Sequence, residues 1–173
     1  MAKVNKSVVR LDDPRFANTD VYSVRSANAL QNGFVGKLGE VEDGNRDIRE
    51  LKDTATGDSI VLVANPALPY DNARLGSAQE TDYEMEANEA VRAYGVKPTF
   101  VFSVSKEAIE GAAVVDQYLV AGAGNKLVPL AALLGSETGF VGKVVRKDKV
   151  GGALSLVTKQ EATEYIVIDT IQN

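Results

Sequence analysis

One segment of the chain has residue types and a spacing that could support nucleophilic catalysis. Ser103-Val104-Ser105-Lys106 matches the Ser-x-x-Lys pattern, in which Lys serves as the base for a Ser nucleophile. The companion motifs Ser-Asp-Asn and Lys-Thr-Gly are absent from the sequence. The pattern also requires a helix that places both side chains on one face, whereas Ser103 ends a predicted strand. We therefore interpret the match as chance.

A glycine-rich segment, residues 121–126, invites comparison with phosphate-binding loops. A P-loop needs Gly, four residues and then Gly-Lys-Ser/Thr at the start of a helix, but here Lys126 leads into an apolar strand. The dinucleotide fingerprint also fails, because no third Gly follows Gly124 at the required distance. The segment is typical of a β-turn.

Carboxylate chemistry is the remaining possibility for an enzyme. Asp43-Gly44-Asn45 and Asp47 bring oxygen ligands together, but they do not match a calcium-binding loop, so a turn is favoured. The chain has 24 acidic residues, and any such chain contains many pairs that could resemble a hydrolase dyad. It has no His and no Cys, which excludes His relays, thiol nucleophiles, disulfides and the usual zinc ligand sets. We expect no enzyme activity, no metal and no cofactor.

The overall charge limits the partners. A net charge of −5 without a run of Lys and Arg makes nucleic-acid binding unlikely. The acidic stretch at residues 80–89 predicts a solvated surface or a contact with a basic patch on a partner. No apolar run approaches the ~20 residues that span a bilayer, and the first residues lack the apolar stretch of a secretory signal. We expect synthesis in a cytoplasm and no membrane partner.

The elements that would position these residues are mostly strands. Short Val-rich segments recur at intervals of about 10 residues with turn signals between them, which predicts a mainly β barrel or sandwich of short antiparallel strands with one or two short helices. Pro129 indicates an edge strand. Residues 85–94 fit either a short helix or an edge strand. The predicted strands are centred on residues 21–24, 34–41, 59–64, 99–104, 117–120, 127–130, 140–145, 153–157 and 165–171.

The domain organisation is predicted from the same pattern. Residues 1–18 form an N-terminal arm, either frayed or docked on a partner, and residues 19–173 form one β-rich domain. That domain has the pattern of two lobes, about 19–70 and 83–173, joined by a long loop at residues 66–82 that is suited to partner contact. The pentapeptide Gly-Phe-Val-Gly-Lys occurs at residues 33–37 and again at 139–143. A repeated structural unit and a coincidence explain it equally well.

The order of motifs over residues 20–171 resembles that of small structural proteins from head-gene clusters of tailed phages that infect Gram-positive bacteria. The resemblance is one of motif order and includes no catalytic residues. The segments that carry it are Tyr22, Asn32-Gly33-Phe34-Val35-Gly36-Lys37-Leu38-Gly39, Ile60-Val61-Leu62-Val63-Ala64-Asn65-Pro66, Tyr70-Asp71, residues 86–94, Phe102-Ser103-Val104, Gln117-Tyr118-Leu119-Val120, residues 122–127 and Phe140-Val141-Gly142-Lys143-Val144.

The resemblance implies a virion protein that binds the outer surface of a phage capsid and stabilises it. Its partners would be the major capsid protein and further copies of itself, with a homotrimer as one expected assembly. The expected contact residues lie in the arm and in the long loop: Val8, Val9, Leu11, Tyr70, Arg74 and Leu75. The alternatives are a tail or neck component, a carboxylate-dependent hydrolase and a sugar-binding module that uses exposed Tyr residues.

Overall fold

Strands dominate the protein and form two separate sheets, which confirms the predicted mainly β class. The computed structural model describes residues 5–66, 81, 83–133, 135, 137–150 and 162–173. The strands are β1 (Val9–Arg10), β2 (Val21–Arg25), β3 (Val35–Val41), β4 (Ile48–Lys52), β5 (Val61–Val63), β6 (Ala90–Gly95), β7 (Val101–Ser105), β8 (Tyr118–Ala121), β9 (Leu127–Leu130), β10 (Val141–Val150) and β11 (Thr163–Gln172). Short 3₁₀ helices lie at Pro14–Asn18, Lys106–Ala108 and Ala123–Asn125.

The first sheet is a closed barrel in the order β2-β4-β3-β5-β6. The β2–β4 pair is parallel and the other pairs are antiparallel. Val24, Val35 and Leu62 are fully buried, as expected for β-branched and aliphatic residues on the inward face of alternating strands. Closure pairs each barrel strand with two neighbours, which leaves little free edge.

The second sheet, called the open sheet below, has the order β1-β7-β11-β10-β8-β9. Its centre is the long antiparallel pair of β10 and β11. Strand β9 is the last strand on one side, which confirms the edge position indicated by Pro129, since Pro cannot donate to a further strand. Phe102, Leu119 and Ile168 are fully buried on the packed face of this sheet.

The two sheets share one hydrophobic core. Phe16, from the 3₁₀ helix after β1, packs edge-on against Tyr94 of the barrel and Phe102 of the open sheet, with ring centroids 6.4 and 6.5 Å away. The division of the strands between the two sheets does not follow the expected lobes, because β6 joins the barrel and β1 joins the open sheet. The barrel therefore extends to Gly95, beyond the expected lobe limit near residue 70.

The ambiguous segment at residues 85–94 has no helix: a turn at residues 87–88, with Asn88 at φ 64°, leads into strand β6. Met85 forms an isolated bridge with Leu30, and β6 pairs with both β2 and β5. Its alternating exposure, with Val91 and Ala93 buried and Arg92 exposed, is the period-2 pattern of a strand. Tertiary pairing thus decided between two patterns that the local sequence allowed.

The two Gly-Phe-Val-Gly-Lys copies have the same local backbone. Gly33 and Gly139 both adopt positive φ, at 88° and 74°, a conformation that favours Gly. In each copy the Phe is buried, and the strand begins at the following Val, which is Val35 in β3 and Val141 in β10.

The ends of the two copies also match. Lys37 Nζ lies 2.7 Å from Asp58 Oδ1, and Lys143 Nζ lies 2.7 Å from Asp116 Oδ1. Asp58 precedes β5 and Asp116 precedes β8, and these are the strands that pair with the first residues of β3 and β10. The repeated pentapeptide therefore builds the same strand entry in both sheets.

Candidate partner-binding surfaces

The N-terminal segment is attached to the body from residue 5 onward. Val8 N donates to Ser105 Oγ at 3.1 Å, Ser105 N donates to Val8 O at 2.9 Å, and β1 then pairs with β7. Ser105 occupies the N-cap position of the 3₁₀ helix, but its hydroxyl accepts from Val8 N instead of capping the helix. The described part of the expected arm is therefore attached to the open sheet through β1 and continues into the 3₁₀ helix at Pro14–Asn18.

Asp13 fixes the segment that follows β1. Its carboxylate accepts from Arg15 N at 2.9 Å and from Val101 N at 3.1 Å, and it forms an ion pair with the Arg15 guanidinium. The side-chain hydrogen bond from Arg15 is the main reason why the pKa of Asp13 lies well below its usual range. Asp13 thus stays ionised and holds the start of β7 against the 3₁₀ helix.

Part of the acidic stretch is also used within the chain. Lys6 Nζ lies 2.6 Å from Glu84 Oε2, and Gln31 Nε2 donates to Glu84 Oε1 at 3.0 Å. The hydrogen bond from Lys6, followed by that from Gln31, lowers the pKa of Glu84. This glutamate therefore anchors the N-terminal segment on the barrel side.

The three expected contact residues of the arm meet at one groove, called the junction groove, where β1 lies against the barrel. Its volume is about 220 Å³, and Val8, Val9, Leu11, Asn32, Ala64, Asn65, Pro66 and Tyr94 line it. Val8 was expected to contact a partner, but it is only 4% exposed, so in this conformation its side chain belongs to the core. Val9 and Leu11 are half-buried and pack against the core at the same place. The other three expected contact residues, Tyr70, Arg74 and Leu75, lie outside the described residues.

The polar wall of the junction groove is rigid. Asn65 N donates to Asn32 Oδ1 at 2.7 Å, and Asn32 Nδ2 donates back to Asn65 O at 2.9 Å. Asn65 Nδ2 also donates to Tyr83 OH at 2.8 Å. These side chains are committed to one another, so the groove offers a partner mostly apolar contact.

The Ser-x-x-Lys match and the glycine-rich segment lie in a strand and a turn that build the fold. Ser103 is buried within β7, whereas Lys106 is exposed after it. The glycine-rich segment is a turn, as predicted, with Gly124 at φ 70° and Asn125 at φ 64°. Among the described residues, the buried polar side chains belong to Ser, Thr and Asn. No group of three His, Cys, Asp or Glu residues in that part of the chain could hold a metal ion.

A polar cleft of about 400 Å³ lies beside the ends of β2 and β3 and is lined by Arg25, Glu40, Glu42, Asp43, Glu50 and their neighbours. Arg25 Nη1 lies 2.6 Å from Glu42 Oε2. The buried Arg25 Nε has no hydrogen-bond partner among the described residues. With one cation among four carboxylates, the cleft has an acidic character that suits a basic partner group.

Exposed aliphatic side chains are concentrated on one half of the molecule. Of the eight large apolar residues that are exposed in the described part of the chain, six lie between residues 101 and 172. Val114 and Val115 are adjacent and exposed by 61% and 43%. Val145 is exposed by 48% on the neighbouring strand. The six are Val114, Val115, Leu133, Val145, Val150 and Ile171.

Strand β10 extends beyond its neighbour β8. The β8–β10 ladder covers Val141 to Lys143, and the last backbone bonds join Val144 to Asp116 and Gln117. A bulge between Val144 and Arg146 follows at once, and from there β10 continues to Val150 paired with β11. No described strand lies on the other side of residues 146–150, which are called the β10 edge below.

The sequence reasoning missed the residues that fasten the two sheets together. Asn125 Nδ2 donates to Val35 O at 2.9 Å across the interface, and Thr54 Oγ1 donates to Gly122 O. Asn173 Nδ2 donates to Ile60 O and Val96 O at 2.9 and 2.8 Å. A polar residue within a turn or at the last position of the chain gives no local signal of such a role.

No protein-family model matches the chain, and neither a curated protein nor a solved structure matches it significantly. Within the described residues, no helix has the length and apolar character needed to cross a membrane.

Proposed function

We propose that this protein binds the outer surface of a tailed-phage capsid and stabilises it. The observation that carries the proposal is the concentration of exposed aliphatic side chains on the open-sheet half, around Val114, Val115 and Val145. Exposed apolar side chains that cluster on a soluble body are typical of protein–protein contacts. The motif order that resembles phage head proteins supplies the kind of partner.

The body is suited to a structural role of this kind. The barrel and the open sheet share a core and are fastened by buried hydrogen bonds at Asn125 and Thr54 and by a part-buried one at Asn173. A rigid body loses little conformational freedom when it binds, so modest contacts repeated over a symmetric shell can give a stable layer. The net charge of −5 would keep decorated particles apart in solution.

The test is to mix the purified protein with undecorated heads of its own phage and to look for regular added density by electron microscopy. We expect density at symmetry-related positions and higher thermal stability of the heads. Absence of binding to these heads would overturn the proposal. Assembly of the isolated protein into rings that bind tails instead would favour the tail or neck alternative.

A matched pair of variants locates the contact. Val114→Asp with Val115→Asp should weaken head binding by roughly a hundredfold, since two apolar contacts are lost and two charges are buried. The control, Val21→Asp with Val41→Asp, changes two barrel valines that are exposed by 52% and 42%. Both variants should keep a cooperative unfolding transition. Equal loss of binding by both would show that the contact does not lie on the open-sheet half.

A further inference from the structure

We infer that the β10 edge accepts an extended, acidic segment of a partner protein as an additional strand of the open sheet. The inference concerns the mode of binding and does not depend on whether the partner is a capsid. Peptides are known to bind as an added strand: main-chain hydrogen bonds along a strand edge give affinity, and side-chain contacts give specificity.

The first argument is the register of the sheet. Strand β8 pairs with one side of β10, and the last backbone hydrogen bond on that side runs from Asp116 N to Val144 O at 2.8 Å. An added strand would lie on the same side of β10, directly beyond β8. The edge is five residues long, which is about 16 Å of strand. Its other side is fixed by regular pairing from Arg146↔Val167 to Val150↔Thr163. The β10 edge is therefore supported by β11 along its whole length.

The second argument is the bulge at Val145. A bulge leaves one residue out of the ladder and turns the strand that contains it. Here it separates the part of β10 that pairs with β8 from the β10 edge and leaves Val145 exposed. Val114 and Val115, in the loop before β8, are also exposed. This gives an apolar contact at the end where an added strand would begin.

The third argument is charge. The β10 edge carries Arg146, Lys147 and Lys149 against one acid, Asp148, in a chain whose net charge is −5. Arg146 Nε is 2.9 Å from Asp148 Oδ2, and Lys147 Nζ is 3.4 Å from Glu164 Oε1. Lys149 has no ion pair among the described residues. It lines a cleft of about 300 Å³ together with Lys106, Glu107 and Glu164.

These charges select the occupant. Lysine on an edge strand disfavours pairing with the same edge of a second copy, because like charges would face each other. The same cations favour an acidic strand, whose carboxylates would meet Lys147 and Lys149. An extended segment with acidic residues alternating with Val or Thr satisfies both the backbone and the charge of the edge.

The experiment uses the full chain and a synthetic peptide of eight residues in which Glu alternates with Val and Thr. Binding is measured by fluorescence anisotropy, and amide NMR shifts locate it. We expect saturable binding, with the largest shifts at residues 145–150. A peptide with Lys in place of Glu, and an acidic peptide with alternate N-methylated amides, should each bind at least roughly tenfold more weakly.

Two protein variants of equal charge change complete the test. Lys147→Glu with Lys149→Glu should weaken binding of the acidic peptide at least roughly tenfold. Lys52→Glu with Lys97→Glu changes two lysines that are about half exposed and lie elsewhere, and it should leave binding nearly unchanged. Equal binding of the N-methylated peptide, equal loss in both variants, or no binding at all would overturn the inference. Self-association of the free chain in which the amides of residues 146–150 are protected from exchange would also overturn it, because the occupant would then be a second copy.

Discussion

The two Gly-Phe-Val-Gly-Lys copies begin alike and end differently. Each starts with a Gly at positive φ, buries its Phe, enters a strand at Val and pairs its Lys with an Asp at 2.7 Å. The second Gly of each copy also lies against the return strand. A Cβ on Gly36 would come within 2.4 Å of Leu51, and one on Gly142 within 2.6 Å of Ile168.

Beyond the pentapeptide the two strands diverge. The first copy continues with Glu40, Glu42 and Asp43 and returns through a five-residue strand, β4, inside the closed barrel. The second continues with Arg146, Lys147 and Lys149 and pairs with the ten-residue strand β11 in the open sheet. The comparison teaches that a short motif determines how a strand begins, whereas the following residues decide whether the strand closes a barrel or presents an edge.

Replacing the aromatic residue of each copy should give the largest effects. Phe140→Ala removes a ring that is 1% exposed and lies 6.3 Å from the Phe102 ring, between centroids. We expect about 3–5 kcal/mol of destabilisation in urea unfolding. Phe34→Ala should cost less, because Phe34 is 9% exposed and its site can admit water. An equal or greater loss for Phe34→Ala would contradict this ranking of the two copies.

Replacing the first glycine of each copy should give the next largest loss of stability, and the loss should differ between the two copies. A Cβ on Gly139 would lie 2.4 Å from backbone atoms of Gly57 and Asp58, which cannot rotate away. Gly139→Ala should therefore cost about 3 kcal/mol, from the left-handed backbone and the clash together. In Gly33→Ala the nearest atoms are 3.1–3.3 Å away and need to move by only a few tenths of an ångström, so the backbone cost of about 1–2 kcal/mol should dominate. Matched urea titrations would measure both, and similar midpoints would argue against the clash.

The hydrogen bond from Asn125, in the glycine-rich turn, to Val35 O of the first Gly-Phe-Val-Gly-Lys copy can be tested by replacing its donor with an acceptor. Asn125→Asp keeps the shape and tolerates the positive φ, but it places an acceptor against Val35 O. We expect a loss of about 2–3 kcal/mol at neutral pH, because a buried donor is replaced by an unpaired charge. The loss should shrink in acid, where the protonated carboxyl can donate. A loss that does not change with pH would mean that the hydrogen bond is unimportant.

The two ion pairs should give the smallest effects, which can be followed through the pKa of one partner in each pair. The hydrogen bond from Lys37 is the main cause of the lowered pKa of Asp58. This contribution is present above the unfolded pKa of about 4 and is lost as the pH falls through the folded value. Lys37→Met should therefore differ from the parent protein at neutral pH and converge with it in acid.

In the second Gly-Phe-Val-Gly-Lys copy, the pKa shift is that of Lys143. The hydrogen bond to Asp116 is the main cause of the raised pKa of Lys143. The contribution is present below the unfolded pKa of about 10.4 and is lost as the pH rises through the folded value. Lys143→Met should thus converge with the parent protein in alkali, as followed by thermal unfolding between neutral pH and pH about 11. An undiminished difference between the two proteins at pH about 11 would contradict the assignment.

The candidate surfaces could be predicted only in part. The sequence indicated Val8, Val9 and Leu11 as an apolar cluster, and the structure brings them to one groove, but with Val8 inside the core. The β10 edge was not predicted. A free edge depends on where the neighbouring strand ends, and no local pattern around residues 146–150 contains that information.

Local sequence patterns predicted the mainly β class, most of the strand positions, the turns at Gly44 and Gly124, and the edge position of Pro129. These features depend on side-chain alternation, β-branching and backbone freedom, which act within a few residues. Only the tertiary structure decided that β1 pairs with β7, that β6 closes the barrel and that Asn125 fastens the two sheets. These pairings depend on contacts between residues that are distant in the chain. The free energy of such contacts exceeds the local conformational preference of a segment, and the spacing of residues within the segment does not reveal them.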